Sequence, residues 1–183
     1  GSGFVGEGGA LLHYTSPDLQ AWTYEGPAFQ APKDVAGIFW EMPVLMELDG
    51  DKYILELTTV EENASARALY WIGSWDGESF TPDHPNPRSL DLVNHFLSPT
   101  IGRDDADRIV AIGIVPETRP TDATQSAGWA NTFSLPREWR LCDGDLCQSP
   151  APQLESLRRA HIQRQNVTVG PDDEILPGIE GRQ

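Results

Sequence analysis

Positive charge is scarce in this chain of 183 residues. Lys and Arg total 13 against 28 Asp and Glu, a formal charge of -15. Nucleic-acid binding needs clustered cations, and a field of this sign repels a polyanion. Anionic membrane surfaces are disfavoured for the same reason. No apolar run nears the roughly 20 residues that span a bilayer. No charged-then-apolar leader opens the chain, so these residues hold no signal peptide. Cysteine is nearly absent, and two residues make neither a disulfide-dense scaffold nor a four-ligand zinc site. Helical periodicity is missing as well. The one helix-like stretch, Gln153–Leu157 with Arg158 and Arg159 behind it, is too short to stand alone.

What is present reads as strands. Lys52–Val60, Ala68–Trp75, Arg108–Val115 and Thr132–Leu141 are the longer β-like runs, and several alternate in the strand manner, as in Tyr53-Ile54-Leu55-Glu56-Leu57. Asp49-Gly50, Asp76-Gly77 and Asp143-Gly144 supply hairpin turns, and Asp104-Asp105-Ala106-Asp107 reads as a polar hairpin tip. Cys142 and Cys147 flank one of these turns. A four-residue loop would set the sulfurs opposite each other, whereas a two-residue loop at Asp143-Gly144 would leave them out of register. With 17 glycines and 15 prolines mostly between runs, the chain reads as an all-β meander, either a sandwich or a β-propeller. Roughly ten strands at four per blade fill about two and a half blades. A propeller therefore implies a longer protein, and a sandwich does not.

The tetrapeptide Trp40-Glu41-Met42-Pro43 follows the turn-rich Lys33–Gly37 and opens the apolar Val44-Leu45-Met46. A Glu at such a strand start can stand at a ring mouth, where an apolar neighbour raises a carboxyl pKa by desolvation, as a general acid requires. The alternative is a surface Glu beside a core Trp.

Six segments in order give that tetrapeptide a context. Gly9-Ala10-Leu11-Leu12-His13-Tyr14-Thr15-Ser16-Pro17-Asp18-Leu19-Gln20-Ala21-Trp22 resembles the "lY-x-S-x-DL-x-x-W" segment of glycoside hydrolase family 32, the β-fructofuranosidases, and Trp40-Glu41-Met42-Pro43 follows where that family has "W-E-C-P". Tyr70–Phe80 resembles "Y-x-x-G-x-(Y/W)-(D/N)-G-x-x-F", and Leu90-Asp91 with Phe96–Pro99 resembles "LD-x-G-x-x-FYAPQ". Gly128–Glu138 is similar to "GWa-x-x-x-(S/T)LPRE", and Leu146–Arg158 to the run "L-x-Q-x-P-x-x-EL-x-x-LR" that leads out of the propeller.

The resemblance implies a partial five-bladed β-propeller, about two and a half to three blades over residues 1–150, followed at 151–183 by a linker and the start of a C-terminal β-sandwich. It implies retaining cleavage of terminal fructosyl bonds, with a fructoside as partner and neither metal nor cofactor. Glu41 falls at the acid/base. The family's nucleophile, the Asp of "NDPNG", and its stabiliser, the Asp of "RDP", have no counterpart in this sequence. Trp40, Asp91, His95 and Trp129 are the candidate substrate contacts. Each ring has a structural alternative: Trp40 and Trp129 in the core, His95 on the surface. Met42 stands where the family has Cys, Val93 where Gly is common, and Leu97-Ser98 where Tyr-Ala is common. Glu117 and Arg119, before a flexible loop at Pro120–Ser126, are either rim residues or a solvated ion pair. Asn63-Ala64-Ser65 and Asn166-Val167-Thr168 fit the glycosylation sequon, and Pro171–Glu174 reads as a solvated acidic turn. Two competing readings are a non-catalytic sugar-binding propeller and a five-bladed glycosidase of another class, such as an arabinan-cleaving enzyme.

Overall fold

The computed structural model describes residues 8–60, 66–159, 165–168 and 170, together with the backbone of 2–5. Asn63-Ala64-Ser65 and Pro171–Glu174 lie outside the described residues. The chain divides into two compact units, Gly1–Pro152 and Gln153–Gln183.

The first unit is three antiparallel sheets in series. β1 (Ser2–Val5), β2 (Gly8–Thr15) and β3 (Thr23–Ala31) form the first, in sequence order. A single helical turn, α1 (Lys33–Ala36), leads into the second: β4 (Phe39–Asp49), β5 (Lys52–Val60), β6 (Ala66–Trp75) and β7 (Phe80–Pro82), again in order, with β8 (Arg88–Ser89) also on β6. The third has β9 (Leu97–Arg103), β10 (Ile109–Val115), β11 (Thr132–Phe133), β12 (Arg137–Cys142) and β13 (Asp145–Pro150), with β10 pairing β9, β11 and β12. The polar tip at Asp104–Asp107 joins β9 to β10 as expected. The run read as one strand, Thr132–Leu141, is two strands separated by Ser134, Leu135 and Pro136, where a proline cannot donate to a ladder. Pro120–Ser126, read as a loop, holds helix α2 (Thr121–Ala127). No residue of α2 is buried, so it carries no apolar periodicity by which the sequence could announce it. A 3₁₀ helix, Pro152–Leu157, covers the helix-like stretch expected at Gln153–Leu157.

Two cores lie between the sheets. Leu11, Ala28 and Ala31 of the first sheet meet Trp40, Leu55, Leu57, Leu69, Trp71 and Phe80 of the second. On the other side Ile54, Ala68, Tyr70 and Ile72 meet Phe96, Ile109, Ala111 and Trp139 of the third. The period of two along β5 explains the division, since Leu55 and Leu57 point one way and Ile54 the other. A central strand buried on both faces gains about 1.5–3 kcal/mol per large apolar side chain on each, which makes β5 and β6 the rigid middle of the unit.

The β12–β13 hairpin turns on two residues, Cys142 pairing with Asp145, and yet Cys142 and Cys147 form a disulfide. The expectation that a two-residue loop separates the sulfurs is corrected. Cys147 lies opposite Arg140, on the same face as Cys142 and diagonal to it, with the Cα atoms 5.8 Å apart. Diagonal neighbours on a twisted hairpin are within a disulfide's reach.

Candidate active site

Glu41 stands on β4 opposite Thr58 of β5. β4 runs against β1 and β2 on one side and β9 and β12 on the other, so it is the strand on which the three sheets converge. Between Glu41 and Val44 the register with β5 shifts, and Met42 takes a φ of 49°. Such a bulge bends the strand and re-aims its side chains. Trp40 fixes the approach. Its indole is wholly buried, donates to the Ala36 carbonyl at 2.8 Å and stacks on Phe29 at 5.9 Å. Gly9 lies against the same ring, where a Cβ would overlap it. Trp40 is therefore a core anchor, the structural one of the two readings its position left open. Glu41, one residue on, is exposed.

The second and third sheets are tied together beside Glu41. The buried Thr58 Oγ1 accepts the Ser98 N–H at 2.8 Å and lies 3.1 Å from Ser98 Oγ. Ser98 carries a φ of 44°, so the segment read as departing from the family's Tyr-Ala is a strained link between sheets.

Asp91 and His95 lie on the loop between β8 and β9. Leu90 N–H reaches the Ala68 carbonyl at 2.9 Å and the Asn94 amide reaches the Ala66 carbonyl, which pins this loop at the Thr58 end of the sheet. Asp91 is fully engaged: one oxygen accepts from His95 N–H at 3.0 Å, the other from Arg137 at 3.1 Å. Desolvation alone would raise its pKa, yet the His95 N–H and the Arg137 guanidinium outweigh it and hold the carboxyl below its ordinary value. Arg137 lies over the Phe96 ring at 3.9 Å and also reaches Gln148, whose amide donates to the Leu90 carbonyl at 2.7 Å. Three of the motif segments, Leu90-Asp91, the Arg137 region and Gln148, thus meet in one network. The His95 ring is exposed.

Trp129 is 55% exposed, not in the core. Arg119 covers one face of it at 3.9 Å from the ring centroid and is itself gripped by Glu117, at 2.9 Å from Nε and 2.6 Å from an Nη. That grip, with the Arg119 N–H, draws the Glu117 pKa down to about 2.

Glu56 was not singled out in the sequence. It lies wholly buried on β5 between Ile54 and Thr58, opposite Tyr70, and neither carboxyl oxygen has a partner among the described residues. Burial pushes its pKa up to about 9. Its only sequence signal was a Glu inside an otherwise apolar run. Among the described residues no cluster of three His, Cys, Asp or Glu is placed to hold a metal.

Meander sheets in series, the first and third packed on the two faces of the second, make this chain part of a β-propeller. It belongs to glycosyl hydrolase family 32, whose N-terminal domain model matches residues 3–150. It is similar to the sucrose-6-phosphate hydrolase of Vibrio alginolyticus, at 30% identity over 85% of this chain and 34% of the relative. The levanase of Bacillus subtilis matches at 27% identity over 95% of this chain and 28% of its own length. Among solved structures, a family 32 β-fructofuranosidase of Bombyx mori superposes with a TM-score of 0.76 at 24% identity, covering 88% of this chain and 36% of that one. Fructan 1-exohydrolase IIa of Cichorium intybus superposes at 0.70, with 22% identity over 87% and 33%. The chain spans about a third of the length of these relatives.

Proposed function

We propose that these residues are the later blades of a glycosidase that removes terminal β-fructofuranosyl units from sucrose or fructans with retention, and that Glu41 is its acid/base. One observation carries the reading: the Trp40-Glu41-Met42-Pro43 segment lies on the strand where the sheets converge, with Trp40 locked in the core and Glu41 left open. The names of the relatives, sucrose-6-phosphate hydrolase and levanase, support a fructoside as substrate.

Retention needs two carboxyl groups about 5–5.5 Å apart, one to attack the anomeric carbon and one to protonate the leaving oxygen. Glu41 serves the second role and then takes a proton from the incoming water. Glu56, its diagonal neighbour in register, is sealed from any sugar and cannot attack. The nucleophile therefore lies on upstream blades outside this chain, in keeping with the missing "NDPNG" and "RDP" segments. Asp91 acts as a positioning group through the His95 backbone, and the exposed His95 ring is a substrate contact. Residues 151–183 begin the C-terminal sandwich.

The test is Glu41→Gln in the protein carrying the upstream blades. Turnover of sucrose or a fructan is expected to fall by at least about 10²–10⁴-fold with folding unchanged, and a substrate with a good leaving group is expected to be rescued in the first step. Near-normal turnover of sucrose by the variant would remove Glu41 from the mechanism.

A further inference from the structure

The edge strand β13 grips the loop that carries Asp91 and His95 at two points. Asp145, at the start of the strand, accepts the Tyr70 hydroxyl at 2.7 Å and pairs with the Arg88 guanidinium. Three residues on, the Gln148 amide donates to the Leu90 carbonyl at 2.7 Å. Arg88 opens β8 and Leu90 follows it, so the two grips bracket a strand of two residues. That strand pairs with β6 through Arg88 and Ser89 alone. Beyond it Ser89 Oγ donates to the Asp91 carbonyl at 2.9 Å, and Asp91 accepts the His95 N–H. A strand this short is weakly held by its own ladder. The grip of β13 therefore sets where β8 and the loop after it lie.

β13 is itself the outermost strand of the third sheet, and among the described residues its ladder partner is β12 alone. The Cys142–Cys147 disulfide crosses that hairpin, and Cys147 stands between Asp145 and Gln148, the two gripping residues. Both cysteines are only half-buried. A disulfide within reach of solvent is open to thiol exchange, whereas a sealed one is not. A dithiol attacks one sulfur, forms a mixed disulfide and then closes on itself. Two electrons pass to the cystine, and two cysteine thiols remain. The bridge closes the loop of residues 142–147, so its opening returns chain freedom to the tip on which Asp145 sits. We infer that Cys142–Cys147 is a redox latch. Oxidised, it holds β13 so that Asp145 and Gln148 fix β8 and the Asp91–His95 loop; reduced by a dithiol, it lets that loop go. Its effect on turnover rests on the reading of His95 as a substrate contact, while the latch itself does not.

The experiment takes the protein carrying the upstream blades, purified without reductant, and compares it with the same protein reduced by dithiothreitol and with the double variant Cys142→Ser, Cys147→Ser. Backbone amide exchange is read at Leu90, whose N–H reaches the Ala68 carbonyl, and at His95. Leu55, buried on β5, is the reference. Reduction is expected to speed exchange at Leu90 and His95 by at least about tenfold and to leave Leu55 unchanged. Reoxidation reverses the change, and the double variant shows the reduced rates whether or not dithiothreitol is present. On sucrose the reduced protein is expected to show a raised KM with kcat kept. Unchanged exchange at Leu90 and His95 overturns the latch. An equal rise at Leu55 also overturns it, since it marks a bridge that stabilises the whole fold alike. Free thiols at Cys142 and Cys147 in the untreated protein overturn it as well. If the double variant does not fold, the oxidised and reduced parent decide by the same rates. Faster exchange with an unchanged KM upholds the latch and removes His95 from sucrose binding.

Discussion

Glu56 shows how a single residue escapes a reading of the sequence and still governs behaviour. The alternation of Tyr53 to Leu57 made the strand legible, but alternation ordinarily marks one wet face. Here both faces of β5 are covered, because a third sheet closes over Ile54 and Glu56. That closure joins residues more than forty positions apart, and no local pattern records it. The consequence for pH has a definite sign. The folded carboxyl keeps its proton up to about 9, against an ordinary value of 4.5 once unfolded. Folding therefore takes up a proton in between, and the stability present at low pH is lost as pH rises from about 4.5 to 9. Tyr70 opposite it is committed to Asp145 through its hydroxyl, so it does not offset an ionised Glu56. Glu56→Gln is expected to flatten the fall of the denaturation midpoint between pH 5 and pH 8. It should gain about 1–3 kcal/mol at the upper end, the scale of a buried unsatisfied group. An unchanged slope in the variant would place the linkage elsewhere.

Among the elements, turns and long strands were the legible part. Lys52–Val60 matches β5 end to end, and the Asp-Gly pairs lie at or beside hairpin turns, because those signals are local. Two-residue partners such as β8 and β11 were not separable, since their pairing is set by the neighbouring strand. The same holds for the anchor behind Glu41. Trp40 is caught between α1 and β2, and the fit leaves no room at Gly9, whose backbone lies in the ordinary region. The constraint is steric alone. Gly9→Ala is expected to displace the indole, costing about 1–3 kcal/mol as overpacking does, and to lower kcat because Glu41 shares the displaced backbone. Gly102→Ala on β9, where a Cβ meets nothing within 4 Å, is the matched control and is expected to be near neutral. Thermal midpoints and kcat for the pair settle the matter, and equal behaviour of the two variants would dismiss Trp40 as the anchor.

At the scale of the whole molecule, the exposed surface of these blades is that of something unfinished. Phe133 and Leu135 are 76% and 68% exposed, and a cavity of about 460 Å³ opens beside them between Val115, Leu135 and Pro150. On the first sheet Tyr14 and Tyr24 lie 5.0 Å apart and half exposed. Apolar surface gathered in this way marks a contact that is still to be made, and the strand count of the sequence pointed the same way. We expect the 183 residues on their own to release no fructose from sucrose, inulin or levan. On the roles proposed above, Glu41 is one carboxyl of a pair whose other member lies outside these residues, so no fructosyl-enzyme intermediate is expected to form. Glu41 is also exposed in these residues, and water around it weakens every electrostatic contact made to a developing charge. Unpaired sheet edges recruit other chains, so the isolated segment should be marginal or aggregated. Joining the upstream blades is expected to restore both solubility and turnover. Fructose released by a purified monomer of these residues alone would mean that a nucleophile lies among them, and the assignment of roles around Glu41 would have to be redrawn.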